Sequence, residues 1–240
     1  MSKEEFILVN RRKKRKKFVK VDKTQLSLTQ FDEYEFDKDF IKRTIIDAGI
    51  KLKGRFSQHR SSVYQLALVL LLRRNYNCQV SIYDPAFLPK EIEILQEFHC
   101  NLIENNEECK RTISNNVTFI YMPHCPRQLI NNFLYSNWSE NLSNCVLVTN
   151  SFSDIVEQSL KWHLMTFAKY ILRIYPYMTE IKLENDFEFV EVFYATSIHI
   201  FSEEKLKQIS ADFWLDKETP QYPSKYIEFT PADKTNTTPC

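Results

Sequence analysis

Short uncharged runs and segments whose apolar residues recur every three or four positions take turns along much of this chain. The runs read as strands: a weak one around Ile45-Ile46 or from Gly49 to Leu52, then Cys78 to Tyr83, Asn101 to Ile103, Val117 to Tyr121 and Cys145 to Val148. Between them the period changes to that of a helix. Ser62 is a fitting N-cap for a helix to Arg74, and Val63, Leu66, Ala67 and Leu68 through Leu72 make it apolar nearly all round, which predicts burial on several sides. Pro89 opens a second helix to about Phe98. Pro126 starts a third, on which Leu129, Ile130, Phe133 and Leu134 repeat at helical spacing. Ser151, with Asp154 three positions on, caps a long helix to about Ile174. Strand and helix repeated in this way predict an α/β fold: a single doubly wound, mostly parallel sheet flanked by helices.

Toward the end the alternation stops. Ile181 to Leu183, Phe187 to Phe193 and Ser197 to Phe201 read as strands, and Glu203 to Ile209 as a short helix. The expected organisation is a basic, flexible tail over residues 1–25, one domain over 26–217, and a flexible tail over 218–240, where Pro, Thr, Lys and Asn dominate.

Composition removes several classes of function. Only Gly49 and Gly54 are present among 240 residues, so a Walker loop and a complete dinucleotide fingerprint are both excluded. The six cysteines, at 78, 100, 109, 125, 145 and 240, include no pair at two-residue spacing, which argues against a zinc ribbon or a thioredoxin-type redox motif. Net charge is +1, giving no overall pull toward nucleic acid, so direct DNA binding is not expected. The longest apolar run, Leu66 to Leu72, is far short of the ~20 residues that span a bilayer. No apolar stretch follows the early basic residues, so the expected location is cytoplasmic rather than secreted or membrane-bound. The run from Arg11 to Lys17 holds seven consecutive cations. It reads as a nuclear-import signal, adding a nuclear location, as an RNA-binding patch, or as a solvated basic tail.

The candidate chemistry gathers at two places. Val117 to Tyr121 runs directly into Met122-Pro123-His124-Cys125-Pro126, where two prolines stop the strand and hold an imidazole and a thiol at its carboxyl end. Open α/β sheets place ligand sites at that end. A Cys-Pro pair can present a thiolate to haem iron, with the neighbouring His as alternative ligand. The competing reading is a structural turn with a buried thiol. The second place is the first strand–turn–helix unit: Gly54 in the turn, Ser57 and Ser61 near the helix start, and Asp84 after the next strand. That set suits the phosphate of a nucleotide, or the ribose of a nucleoside cofactor such as S-adenosylmethionine in a transferase, or else Asp84 simply forms a turn before Pro85. His163 reads as structural. Ser197 and His199 share one face of their strand, which is either solvent or a cleft.

These pieces resemble the sensitivity-to-red-light-reduced family, the SRR-like domain proteins. The resemblance rests on Gly54-Arg55-Phe56-Ser57, Tyr64-Gln65-Leu66-Ala67-Leu68, Tyr83-Asp84-Pro85, Met122-Pro123-His124-Cys125-Pro126, Asn137-Trp138, Asn150-Ser151-Phe152 and Thr196-Ser197-Ile198-His199, in that order. It implies a Rossmann or methyltransferase-type core. It also implies a regulatory rather than catalytic role, linked to haem binding, haem biosynthesis and circadian gene expression, with unidentified regulatory protein partners. Cys125 would be the thiolate ligand, His124 its neighbour or alternative, and Met122 part of the apolar wall. The chain departs from the family pattern at Leu52, where a second glycine is usual, and this weakens a phosphate-cradling role for that loop.

Overall fold

The computed structural model of the chain describes residues 56, 59–183 and 188–232. Gly54, Ser57, the basic run and the first expected strand lie outside them.

Helix α1 (Arg60–Tyr76) begins two residues before the expected Ser62, with His59 at the N-cap position, and ends on Asn77 in the left-handed region (φ 44°). Its buried face is narrower than the sequence implies. Val63, Tyr64, Leu66 and Ala67 are buried, whereas Leu68, Leu70 and Leu71 are only partly covered. This face packs with Leu95 and Cys100, and with Val192 and Phe193, in a small core. Two short parallel strands, β1 (Ser81–Ile82) and β2 (Asn101–Leu102), flank helix α2 (Pro89–Glu97). Pro89 occupies the first turn of α2, and Glu91 Oε2 accepts from Leu88 N–H at 2.9 Å, satisfying an amide at the helix start.

The larger sheet contains β3 (Thr118–Met122), β4 (Cys145–Asn150), β5 (Thr179–Lys182) and β6 (Thr196–Ile200) in the order β3-β4-β6-β5. Strands β3 and β4 are parallel, joined by helix α3 (Arg127–Ser136) as a crossover. Strand β6 runs antiparallel to both β4 and β5. The fold is therefore mixed α/β. A single doubly wound, mostly parallel sheet is not what the described residues form: they show a two-stranded parallel pair and a four-stranded mixed sheet.

The expected long helix after Ser151 is three short ones: α4 (Phe152–Glu157), α5 (Lys161–Phe167) and α6 (Lys169–Ile174). Ser151 does cap the first, accepting from Asp154 N–H at 3.1 Å. Ala168, at φ −148°, then breaks the helical path between α5 and α6. Phe152, Leu164, Phe167, Tyr170, Ile171 and Ile174 are buried along the three helices. The expected strand at Phe187 to Phe193 is instead a tight helical turn over Val190–Val192 among its described residues. Two short helices, α7 (Glu203–Lys207) and α8 (Ala211–Leu215), follow β6.

The main core lies between the four-stranded sheet and α3, α5 and α6, centred on Leu134, Leu147, Phe152, Ile171 and Phe201. No helix among the described residues is long and apolar enough to cross a membrane. Residues 218–232, compositionally a loose end, run against α3 and α6: Gln128 Nε2 donates to Tyr226 O at 2.7 Å and Tyr170 Oη donates to Glu218 O at 2.7 Å.

Candidate functional site

The carboxyl ends of β3 and β4 are in register, Met122 opposite Thr149. Thr149 Oγ1 donates to Met122 O at 2.8 Å, and Asn150 Nδ2 donates to Cys125 O at 2.8 Å. Two side chains of β4 thus tie down the turn that follows β3. The prolines supply no amide for this work, so carbonyls of the turn are fixed by neighbouring side chains instead. His124 sits in the turn at φ 56°, a left-handed conformation that a non-glycine residue adopts at some cost, and its side chain is exposed. Cys125 is half-buried and packs against the main core, as does Met122, which is buried. Pro126 then occupies the N-cap position of α3.

Burial pushes the Cys125 thiol up to about 12, and nearby Cys109 and Asp84 reinforce the shift. Burial likewise raises Cys109 to about 11, reinforced by Glu107 and Glu108. Cys109 follows Glu108 in a loop where both residues take positive φ, 47° and 58°. The sequence pairs Cys125 with His124; the structure adds Cys109 and brings in Asp84 from the end of β1. Asp84 Oδ1 accepts from Ala86 N–H at 2.8 Å, so the carboxylate also forms its own turn. Both thiols are protonated at neutral pH and are poor nucleophiles as they stand. Among the described residues no group of three or more His, Cys, Asp and Glu side chains is arranged to hold a metal ion.

A second polar group lies deeper, across β4, β6 and β5. His199 is fully buried on β6, opposite Leu147 and Glu180. Its Nδ1 lies 3.1 Å from Leu147 O and its Nε2 accepts from Phe152 N–H at 3.4 Å, which fixes the neutral Nδ1–H tautomer. Burial lowers its pKa to about 4 against the opposing pull of Glu180, whose Oε1 stands 4.0 Å from Nε2. Glu180 Oε2 accepts from Ser153 N–H at 2.9 Å, while Oε1 is enclosed and has no hydrogen-bond partner. Burial raises the Glu180 carboxyl, but Ser151, Ser153 N–H, Ser197 and His199 together outweigh it and leave the group below its ordinary value. Ser197 Oγ is close enough to act on the carboxyl electrostatically, yet it forms no hydrogen bond of ordinary geometry.

The face shared by Ser197 and His199 is thus neither solvent nor an open cleft but the inside of the sheet. Their alternation was visible in sequence, and Glu180 was not. A lone acid in Thr179-Glu180-Ile181-Lys182 carries no local mark of the pairing that brings it to His199. His163, on α5, has its Nδ1 3.3 Å from an Arg127 guanidinium nitrogen, away from both groups.

The described residues form a mixed α/β domain in which side chains of β4 brace the turn at the carboxyl end of the parallel strand β3. Residues 53–200 match the model of the SRR1 domain, and the chain belongs to that family. It is 33% identical over 165 residues to an SRR1-like protein of Drosophila melanogaster, covering 67% of this chain and 57% of that protein. It is 34% identical over 134 residues to an SRR1-like protein of Mus musculus, covering 53% of this chain and 50% of the mouse protein. The Arabidopsis thaliana Protein SENSITIVITY TO RED LIGHT REDUCED 1 is 27% identical over 155 residues, 62% of this chain and 56% of that protein. The chain thus spans little more than half the length of the curated relatives it matches. No solved structure matches it.

Proposed function

We propose that this chain is a regulatory SRR-like protein that binds haem at the turn after β3 and, through that occupancy, influences haem synthesis and circadian gene expression in the cytoplasm and nucleus. The observation that carries the reading is the turn itself: an exposed His124 in a left-handed conformation beside Cys125, braced by Thr149 and Asn150. Iron would draw its thiolate from Cys125 and displace that proton, with His124 as the accessible alternative and Met122 in the apolar wall.

Because burial holds the Cys125 thiol near 12, ligation by sulfur releases a proton at neutral pH. Apparent haemin affinity should therefore rise with pH, by up to about tenfold per unit below the thiol pKa. Haemin titration followed by absorbance tests this. A saturable one-to-one shift is expected for the wild type, lost in Cys125→Ala and retaining its pH slope in His124→Ala. Loss only in His124→Ala, without the slope, would assign the iron to the imidazole. Equal binding by both variants would remove haem from this turn. The rival cofactor then becomes S-adenosylmethionine near Asp84, read as thermal stabilisation that Asp84→Ala abolishes.

A further inference from the structure

Of the nine prolines in the chain, three follow a threonine, and all three lie near the carboxyl end: Thr219-Pro220, Thr230-Pro231 and Thr238-Pro239. Thr238 lies outside the described residues. The Thr219 hydroxyl is engaged, its Oγ1 2.9 Å from Tyr135 Oη. Thr230 differs. It is exposed, its carbonyl accepts from Asn106 Nδ2 at 2.8 Å, and its hydroxyl has no hydrogen bond among the described residues. The helical turn Ser224–Tyr226 has ended before it, and Pro231 biases the residue it follows toward extended backbone. The surface around Thr230 is acidic. Ala232, two positions on, donates its N–H to Glu108 Oε1 at 3.0 Å, and the Glu108 side chain is only 17% exposed. The loop from Glu104 to Arg111 carries three acids against Lys110 and Arg111, and Glu228 adds a fourth from the segment itself. Both cations already have partners: Lys110 pairs with Glu108, and Arg111 with Glu107 through two bonds.

We propose that Thr230 is a phosphorylation site for a proline-directed serine/threonine protein kinase, and that the phosphate releases the end of segment 218–232 from the loop at Asn106 and Glu108. In the transfer, Thr230 Oγ1 forms a bond to the γ-phosphorus of magnesium-bound ATP, and the bond from that phosphorus to the β–γ bridging oxygen breaks. ADP leaves, and the hydroxyl proton passes to the catalytic aspartate of the kinase. The product carries about −1.5 to −2 charge at neutral pH. Set two residues from the amide that Glu108 holds, that charge repels the Glu108 carboxylate, and the local cations are already paired. The bonds lost are Asn106 to Thr230 and Ala232 to Glu108, whereas Tyr222 and Tyr226 keep theirs to α3. The change is a local opening rather than unfolding. It frees one side of the loop that carries Cys109 and requires no haem, so it stands or falls separately from the haem reading.

The test incubates the full chain with magnesium-ATP and a cyclin-dependent kinase, maps the phosphate by mass spectrometry and follows amide hydrogen exchange. Thr230 should take up phosphate, and exchange at Ala232 should then speed up by at least about tenfold, since this amide loses its acceptor. Thr230→Val should take no phosphate at this position and keep the slow exchange; Thr230 is exposed, so the substitution spares the core. Glu108→Gln keeps an acceptor for Ala232 but removes the opposing charge, so phosphorylation of that variant should speed exchange far less. Phosphate on Thr219 or Thr238 with none on Thr230, or no phosphate at all, would overturn the site. Phosphate on Thr230 with unchanged exchange at Ala232, or the same acceleration in Glu108→Gln, would overturn the release.

Discussion

Asn137 closes the α3 helix and holds down the loop that carries Cys109. Its Oδ1 accepts from Ile113 N–H at 2.8 Å, and its Nδ2 donates to Arg111 O and Phe133 O, both at 2.9 Å. Asn137→Ala strands the part-buried Ile113 amide and removes the side-chain donor to Arg111 O, while Phe133 O keeps the Asn137 backbone N–H. The expected loss is about 1–3 kcal/mol, read as a lower denaturant midpoint. His199 makes a prediction of a different kind. Unfolded, the imidazole takes a proton below its ordinary 6.5; folded, burial postpones this to about 4. Between those values the unfolded chain binds the extra proton, so stability should fall as the pH drops through that window. Glu180, also lowered, continues the loss in the same direction below its ordinary 4.5. Thermal melts across this range should show the slope in wild type and a flatter one in His199→Gln. An unchanged slope in the variant would place the proton uptake elsewhere.

At the scale of elements, local chemistry marked where helices and strands lie better than how they pair. Pro89 and Pro126 announced α2 and α3 within a residue because each ring belongs at a helix start. The uncharged run Cys145 to Val148 announced β4, whose first five residues are fully buried. The direction of β6 was not legible. Alternation in Thr196 to Ile200 is the same whether the strand runs with or against its neighbour, and only the long-range pairs Leu147–His199 and Glu180–His199 decide it. The single helix expected after Ser151 failed because its breaks, after Glu157 and at Ala168, carry no proline or glycine to mark them in the sequence. The Met122–Pro126 turn was readable because prolines punctuate it, whereas its braces Thr149 and Asn150 belong to another strand. Ser151 stands at the junction of these elements, accepting Asp154 N–H and bonding Ser153 Oγ at 3.0 Å. Ser151→Ala should cost about 1 kcal/mol through the lost cap, with the Asp154 amide losing protection from hydrogen exchange first.

For the whole molecule, the segment 218–232 matters more than its composition suggests. Gln128, Asn131 and Asn132 are each 1% exposed on α3. Gln128 is bracketed by Tyr226 O and Glu228 N–H, and the Tyr222 hydroxyl accepts from Asn131 Nδ2 at 3.0 Å and donates to Asn132 Oδ1 at 2.9 Å. Truncation after Lys217 removes all these partners and uncovers the amides together. A loss of at least about 2–3 kcal/mol is expected, since several buried polar groups lose their bonds at once. A chain that melts unchanged after truncation would show that the segment merely rests on α3.

The same bonds impose an order on synthesis. Gln128 and Asn131 find these partners 91 to 100 positions further along the chain. While the ribosome is still adding the intervening residues, the Gln128 side-chain amide and Asn131 Nδ2 have only water to satisfy them. The helix can form early, but its final dry packing waits for Tyr222 to Glu228 to emerge, so completion of this layer is tied to late translation rather than to the folding of the sheet.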